Sequence, residues 1–305
     1  MWLEAALAGA KDTAAPRARA LGFAGWFSLF QGDVARAGSL CAASLTLARE
    51  VGDKPIIASS LIFGGQVALE QGDPERAMPM LEEGLVLARD AGAMWECCFF
   101  LTLLAAAAVA QGHHARATAL LEECLALARE TNVGFQRVWS TYYLGGLALL
   151  RGDPGTVHAL LLEACAVAQR TGYTMGAGHI AEMLGRVLLA EHDDRTARAL
   201  FTAGLTASRK MGNMLCIAHA LEGFARLALL RGQAERTARL LGAAHAICDA
   251  LAMSLMPIER ALVAQTAAAA RDALTEIAFA TAWREGLAMT LDQAIAYAIP
   301  EAGSA

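Results

Sequence analysis

The sequence predicts an all-α protein, built as an α-solenoid of about six helical hairpins. Alanine and leucine dominate a chain that is 56% hydrophobic and has only seven prolines among its 305 residues. β-Branched and aromatic residues are sparse, and such a composition favours helix throughout. The second observation is that turn residues and packing residues both return every 40 positions. A fixed period of this length is typical of solenoid proteins.

Two interleaved series of turn residues divide the chain into helices of about 15 to 17 residues. The first series is Gly32, Gly72, Gly112, Gly152, His192 and Gly232. The second series, offset by 20 positions, is Gly52, Gly92, Asn132, Gly172, Gly212 and Ala252. Glycine and asparagine tolerate the left-handed conformation that ends a helix. Asp73 and Asp153 each precede a proline, so each is expected to cap the helix that follows.

Fixed columns of small and large residues lie between the turns. Seven positions before each first-series turn the residue is small, namely Gly25, Gly65, Ala105, Gly145, Gly185 and Ala225. Five positions after it come Ala37, Ala77, Ala117, Val157, Ala197 and Thr237. Larger apolar pairs such as Leu120–Leu121 follow three residues later. The small residues allow neighbouring helices to approach closely, and the large ones form the core faces of the second helices.

Charge and composition exclude several classes of function. The net charge of −5, without a cluster of Lys or Arg, lacks the footprint of a nucleic-acid-binding surface. The seven cysteines form no CxxC pair and no secretory leader is recognisable, so a reduced cytoplasm is the expected location. The apolar run from Cys97 to Ala110 has 14 residues, too few to cross a bilayer, and is expected to be a buried helix.

The columns and the turn sequence QGD resemble the tetratricopeptide repeat, in which a glycine and an alanine twelve positions later set the contact of two helices. The pairs here are Gly25 with Ala37, Gly65 with Ala77 and Gly185 with Ala197, and Ala105 with Ala117 is a variant. The repeat has 40 residues where the family has 34, which is similar to the MalT-like branch. The resemblance implies a right-handed solenoid over residues 1–255.

The two ends of the chain add to this resemblance. Met1 to Ala10 aligns by period with the second half of a second helix, so the chain is expected to start inside a repeat. Arg239 to Ala298 resembles the closing segment of LuxR-type and NB-ARC (AfsR-like) ATPase regulators of bacteria. It implies C-terminal capping helices over residues 256–299 and a disordered tail over 300–305. The resemblance further implies a sensor arm that contacts an N-terminal ATPase domain of a transcriptional regulator. A stand-alone adaptor or structural protein is the alternative.

One polar motif occurs twice, as HIAEMLGR and HALEGFAR. Its members His179, Glu182 and Arg186 return as His219, Glu222 and Arg226. Their spacing places each trio on one helical face. By the resemblance, that face of the first helix lines the inner groove, where the arginines would meet carboxylates of a protein or peptide partner or of a small-molecule effector. Ordinary i,i+4 ion pairs are the alternative explanation, and a His/Glu metal site is a more remote one.

The same mapping places four further residues in the groove, Trp26, Gln66, Trp139 and Tyr142. Aromatic residues with polar tips are common anchors for partner recognition, although they are equally common in helix packing. The sequence contains no nucleophile elbow, no phosphate-binding glycine loop and no Ser/His/Asp or Cys/His arrangement in a known context. A binding scaffold without cofactor, metal or catalytic activity is therefore predicted.

Overall fold

A computed structural model of the chain describes residues 14–131, 134–251 and 255–299. Regular structure within these ranges is helical throughout, with fifteen α-helices and one short 3₁₀ helix. The predicted fold class, an all-α repeat of helical hairpins, is confirmed. The described residues fall into two compact units. Unit 1 belongs to Met1–Gln136 with Ala252–Pro257, and unit 2 to Arg137–Leu251 with Ile258–Ala305.

Twelve helices form the six predicted hairpins, each made of a first and a second helix. The first helices are α1 (Ala14–Phe30), α3 (Lys54–Glu70), α5 (Met94–Ala110), α7 (Gly134–Arg151), α9 (Thr174–Ala190) and α11 (Met214–Leu230). The second helices are α2 (Val34–Val51), α4 (Pro74–Asp90), α6 (His114–Glu130), α8 (His158–Arg170), α10 (Asp194–Met211) and α12 (Ala234–Ala250). Three further helices follow, α13 (Pro257–Asp272), α14 (Glu276–Leu287) and α15 (Leu291–Ala298).

The predicted turn residues adopt the left-handed conformation. All six residues of the first series have φ between 67° and 77°. In the second series φ lies between 64° and 73° for Gly52, Gly92, Gly172 and Gly212, whereas Asn132 and Ala252 lie outside the described residues. Among the described residues His192, with φ of 67°, is the one non-glycine with positive φ. Because a side chain disfavours this conformation, the fifth hairpin carries local backbone strain.

Side-chain caps start several of the helices. Asp73 Oδ1 accepts a hydrogen bond from the Arg76 backbone N–H at 3.0 Å, with Pro74 in the first position of α4. The expectation for Asp153 is wrong, because its side chain caps nothing. The chain instead forms the 3₁₀ helix Pro154–Val157, and α8 starts only at His158. Gly155, a poor helix former, lies in that turn.

Close contact at the small residues holds the hairpins together. In unit 1, a Cβ added to Gly65 would lie 2.5 Å from Leu81 Cδ2, so α3 and α4 can pack this closely only with glycine. In unit 2, Gly185 faces the ring of Phe201 in the same way. The apolar run of α5 is buried, as predicted. No helix among the described residues is long and apolar enough to cross a membrane.

The three C-terminal helices have different surroundings within unit 2. Helix α14 packs against α12, where Gly242 and Gly286 allow the two backbones to approach closely. Helix α13 instead contacts the first helices, because Ile258 packs against Gly146 of α7. Of the predicted capping helices, α14 thus covers the last hairpin, whereas α13 lies against the face predicted to be an open groove. The domain boundary at residue 255 stays a prediction.

Candidate binding face

The first helices of unit 2 carry rows of side chains that are spaced by one repeat. Trp139 of α7, His179 of α9 and His219 of α11 form the first row. The ring centroids of Trp139 and His179 lie 4.9 Å apart, and those of His179 and His219 also lie 4.9 Å apart. The 40-residue period therefore turns one helix position into a continuous row of rings.

Two further rows run parallel to the first. One consists of Tyr142, Glu182 and Glu222, and the other of Gly146, Arg186 and Arg226. Arg186 connects them, because its guanidinium donates to Glu182 of its own helix and, from Nη2, to Glu222 Oε2 of the next helix at 2.9 Å. The i,i+4 ion pair predicted between Glu182 and Arg186 is present. The second copy behaves differently, since Glu222 pairs with Arg186 and not with Arg226.

Five of the six motif residues are buried in unit 2. Relative exposures of these residues lie between 1% and 7%, for His179, Glu182, Arg186, His219 and Glu222. The expectation that they line an open groove wall is therefore wrong, and only Arg226 keeps an intermediate exposure. Trp139 is partly buried and donates from Nε1 to the Tyr173 hydroxyl at 2.9 Å.

Helix α13 takes part in this burial. The Tyr142 hydroxyl donates to Glu259 Oε1 at 3.1 Å, and the same carboxylate oxygen lies 3.9 Å from His219 Nε2. Ile258, one residue earlier, packs against Gly146, where a Cβ would lie only 2.5 Å from Ile258 Cγ2. A carboxylate and an aliphatic side chain of the same chain thus occupy the positions that a partner was predicted to take.

Burial and mutual charge shift the titration of this cluster. Burial raises the pKa of Glu222 to about 8, against the opposing effect of the Arg186 guanidinium. Burial likewise raises the pKa of Glu182. The pKa of His219 lies well below its ordinary value because of burial and the nearby His179 and Arg186. His219 is therefore neutral at pH 7, and neither of its ring nitrogens is hydrogen-bonded to a described residue.

The cluster is not arranged as a metal centre. Within the described ranges, no group of three or more His, Cys, Asp or Glu side chains is placed to hold a metal ion. The carboxylates of Glu182 and Glu222 are directed at a guanidinium instead. Buried charges that satisfy one another fix a geometry. The cluster connects α7, α9, α11 and α13 through buried contacts.

In unit 1, the equivalent face is aromatic and partly open. Trp26 Nε1 donates to Gln66 Oε1 at 3.1 Å, across one repeat from α1 to α3. The Trp26 ring also stacks on Phe63, with centroids 5.8 Å apart. Beside them Phe23 and Phe27 are 44% and 48% exposed. The structure thus brings Trp26 and Gln66 together, as the common mapping implied, and surrounds them with phenylalanines that the sequence reasoning did not single out.

Unit 1 also contains a cavity of about 1000 Å³ between its second helices α2 and α4. Gly38, Ala42 and Met80 contribute to its walls. The arginines at its rim already have partners, since Arg49 pairs with Glu83 at 2.7 Å and Arg76 with Asp73 at 3.8 Å. The cavity arises where small residues of α2 face α4, and both arginines of its lining have a carboxylate partner.

Comparisons with solved structures agree with this architecture. The apo form of RapI matches with a TM-score of 0.62 and 13% identity, over 84% of this chain and 97% of that one. A signal-transduction ATPase with numerous domains and a tetratricopeptide repeat sensor, from Pyrococcus horikoshii, matches with a TM-score of 0.61 and 12% identity. That match covers 80% of this chain but only 37% of the ATPase, so this chain spans about a third of its length.

A third similar structure is the Rap conjugation gene regulator of the plasmid pLS20 in complex with the Phr* peptide. It matches with a TM-score of 0.57 and 13% identity, over 85% of this chain and 75% of that one. No model of a protein family and no curated protein matches the sequence. At these identities the likeness establishes a fold of the tetratricopeptide-repeat type.

Proposed function

We propose that this chain is a protein-binding repeat scaffold that holds a peptide or a protein segment on the face of its first helices. The observation that carries the proposal is the partly open aromatic face of unit 1. The Trp26 and Phe27 rings lie 5.5 Å apart, and Phe23 lies against Phe63 with ring centroids 5.3 Å apart. Phe23 and Phe27 are nearly half exposed. Aromatic side chains supply much of the energy at recognition sites, because they bury a large area with few rotatable bonds.

The preformed helices favour binding without large rearrangement. Trp26 is held by the hydrogen bond to Gln66 and by stacking on Phe63, so its rotamer is fixed before a partner arrives. A fixed anchor loses little conformational entropy on binding. The Rap regulator that binds the Phr* peptide has a similar fold, which supports a peptide as the partner.

The proposal assigns binding and not catalysis to the chain. Unit 2 contains groups that could act as acids or bases, but their contacts are with other residues of the unit. Glu222 pairs with Arg186, and Glu259 of α13 lies close to His219 and accepts a hydrogen bond from Tyr142. A catalytic group must reach a substrate atom within hydrogen-bonding distance. Because these groups are buried against one another, they act in this proposal as parts of the scaffold.

The finer part of the proposal is that the scaffold is the sensor arm of a cytoplasmic, ATP-dependent transcriptional regulator of the LuxR or NB-ARC type. Support comes from the fold of the sensor in the Pyrococcus ATPase. Binding of a peptide or small-molecule effector would then change the contact of the arm with an N-terminal ATPase domain. A stand-alone adaptor that mediates protein assembly remains the second candidate.

The binding role is tested with peptides selected on the full chain from a displayed library. Their affinity is then measured for wild type and for the double variant Phe23→Ala with Phe27→Ala. We expect the double variant to lose about tenfold or more in affinity. Val86→Ala is the matched control, because Val86 is 56% exposed on the second helix α4. Equal affinity of the double variant and wild type for every selected peptide would remove the aromatic face as the binding surface.

The regulator role is tested on the native gene product. Mapping the 5′ end of the transcript and translating its reading frame determines whether a nucleotide-binding domain precedes this segment in the same polypeptide. A nucleotide-binding domain in frame supports the sensor-arm role. A start of translation without such a domain favours the adaptor.

A further inference from the structure

A second cavity lies in unit 2, where the arginine row meets α13. Its volume is about 380 Å³, near the lower end of the range of roughly 300–1,000 Å³ typical of small-ligand sites. Helices α7, α9 and α11 form one side of it and α13 forms the other. This volume accommodates one or two amino-acid residues.

The polar side chains around the cavity are cationic or neutral. Arg186 and Arg226 contribute from the first helices, and Gln265 and Thr266 contribute from α13. No carboxylate from the described residues takes part in the lining. A cavity with this lining attracts an anion and has donors that can bind it.

Arg226 lacks a counter-charge. Its side chain has intermediate exposure, and it makes no hydrogen bond or ion pair with a described residue. The carboxylate one turn before it, Glu222, pairs with Arg186. Burial and the neighbouring charge of Arg186 lower the pKa of Arg226, but an arginine still remains charged. A partly buried guanidinium without a partner is unfavourable until an anion binds it.

The remaining wall is aliphatic. Leu149, Leu189, Leu230 and Leu262 surround the cavity. A phosphate ion would leave these side chains without contact, whereas an aliphatic group next to the anion would bury itself against them. A ligand that joins a carboxylate to an aliphatic side chain would match both the arginines and the leucines of the lining.

We propose that this cavity binds the C-terminal residue of a peptide, with its carboxylate on Arg226 and an aliphatic side chain among the four leucines. The inference rests on the proposed function and names the chemistry of the partner. A chain end supplies both groups on one residue, and the rest of the peptide approaches along the open side of the cavity, where Leu230 is exposed and Arg226 is half-buried.

The test uses two small probes and the full chain. Acetyl-Ala-Leu has the free carboxylate, and acetyl-Ala-Leu-amide is identical except for its neutral end. Binding is followed by NMR titration of the protein. We expect the acid to bind about tenfold or more tightly than the amide, since a hydrogen bond to a charged group is among the stronger ones. Acetyl-Ala-Gly is expected to bind more weakly than acetyl-Ala-Leu, because it leaves the leucines uncovered.

Variants assign the effect to Arg226. In Arg226→Ala the affinity for the acid should fall to that for the amide, and Arg226→Lys should restore part of the difference. Arg231→Ala is the matched control, because Arg231 follows the same helix but pairs with Asp194 at 3.6 Å. Circular dichroism of each variant establishes that the helices are intact.

Several results would overturn the proposal. They are equal binding of the acid and the amide, a preference for the acid that persists in Arg226→Ala, displacement of the acid by inorganic phosphate at equal concentration, and absence of binding at about 10 mM of the acid, a concentration above even weak dissociation constants. If library peptides still bind through Phe23 and Phe27, the proposed function stands without this site. If neither surface binds peptides, both proposals fail.

Discussion

Arg186 donates from Nη2 to Glu222 Oε2 at 2.9 Å and so connects the first helices of the fifth and sixth hairpins. Its other partner, Glu182, is on its own helix. We expect Arg186→Ala to lower the free energy of unfolding by about 3–5 kcal/mol, because two buried carboxyl groups lose the guanidinium that binds both of them. Arg226→Ala, at the equivalent position, should change it by less than about 0.5 kcal/mol. Urea denaturation followed by far-UV circular dichroism compares the two, and equal effects would contradict the arrangement.

The raised pKa of Glu222 predicts a pH dependence of stability. The folded-state pKa is about 8 and the ordinary value is 4.5, so the folded protein binds the extra proton in between. The contribution of Glu222 to the free energy of unfolding is fully present below its ordinary pKa of 4.5, and it is lost as the pH rises through the folded-state pKa of about 8. His219 has the opposite shift, and its contribution changes only below its ordinary value of 6.5.

The window from pH 6.5 to pH 8 therefore isolates the carboxylate effect. We expect wild type to lose stability across this window and Glu222→Gln to lose less, because glutamine does not titrate. Denaturation midpoints at several pH values measure both slopes. Identical slopes would show that Glu222 titrates normally in the folded protein.

His192 predicts a stabilising substitution. It occupies the turn position that glycine holds in the other five hairpins, with φ of 67°. His192→Gly should raise the free energy of unfolding by roughly 0.5–1 kcal/mol, because glycine adopts this conformation without a steric penalty. Gly72→Ala, at the same place in the second hairpin, should lower it by about 1 kcal/mol. Thermal unfolding measures both, and a destabilised His192→Gly would mean that the imidazole makes compensating contacts.

The contact of Gly146 with Ile258 predicts a coupled pair of substitutions. Gly146→Ala adds a Cβ only 2.5 Å from Ile258 Cγ2, so it should weaken the packing of α13 and accelerate hydrogen exchange over Ile258 to Asp272. Ile258→Ala removes the clashing methyl group. In that background Gly146→Ala should have no further effect on exchange. If the two substitutions have additive effects on hydrogen exchange, Gly146 and Ile258 are not in contact and the packing of α13 differs from that described.

Much of the fold could be predicted from the sequence, because the period fixes the turns. Gly72 and Gly172 each mark a helix end that the structure shows. The expected cap at Asp153 does not form, because capping depends on the conformation of the next turn, and Pro154–Val157 adopts a 3₁₀ helix. Local propensity did not distinguish the two outcomes.

The candidate site could be predicted only in part. The repeat correctly brought His179 and His219 together, and it placed Trp26 beside Gln66. It could not reveal Glu259, because α13 lies beyond the last repeat and no period relates it to α7 or α11. The packing of a helix from outside the repeat depends on long-range contacts such as that of Tyr142 with Glu259.

Each row of side chains contains one residue per hairpin, so its length depends on the number of repeats that the gene encodes. Duplication of a 40-residue stretch of the gene would lengthen every row by one member without disturbing the members already present. The second His/Glu/Arg trio has the form expected of such a copy. In the second trio Glu222 pairs with Arg186 of the neighbouring helix, so Arg226 is available to another partner.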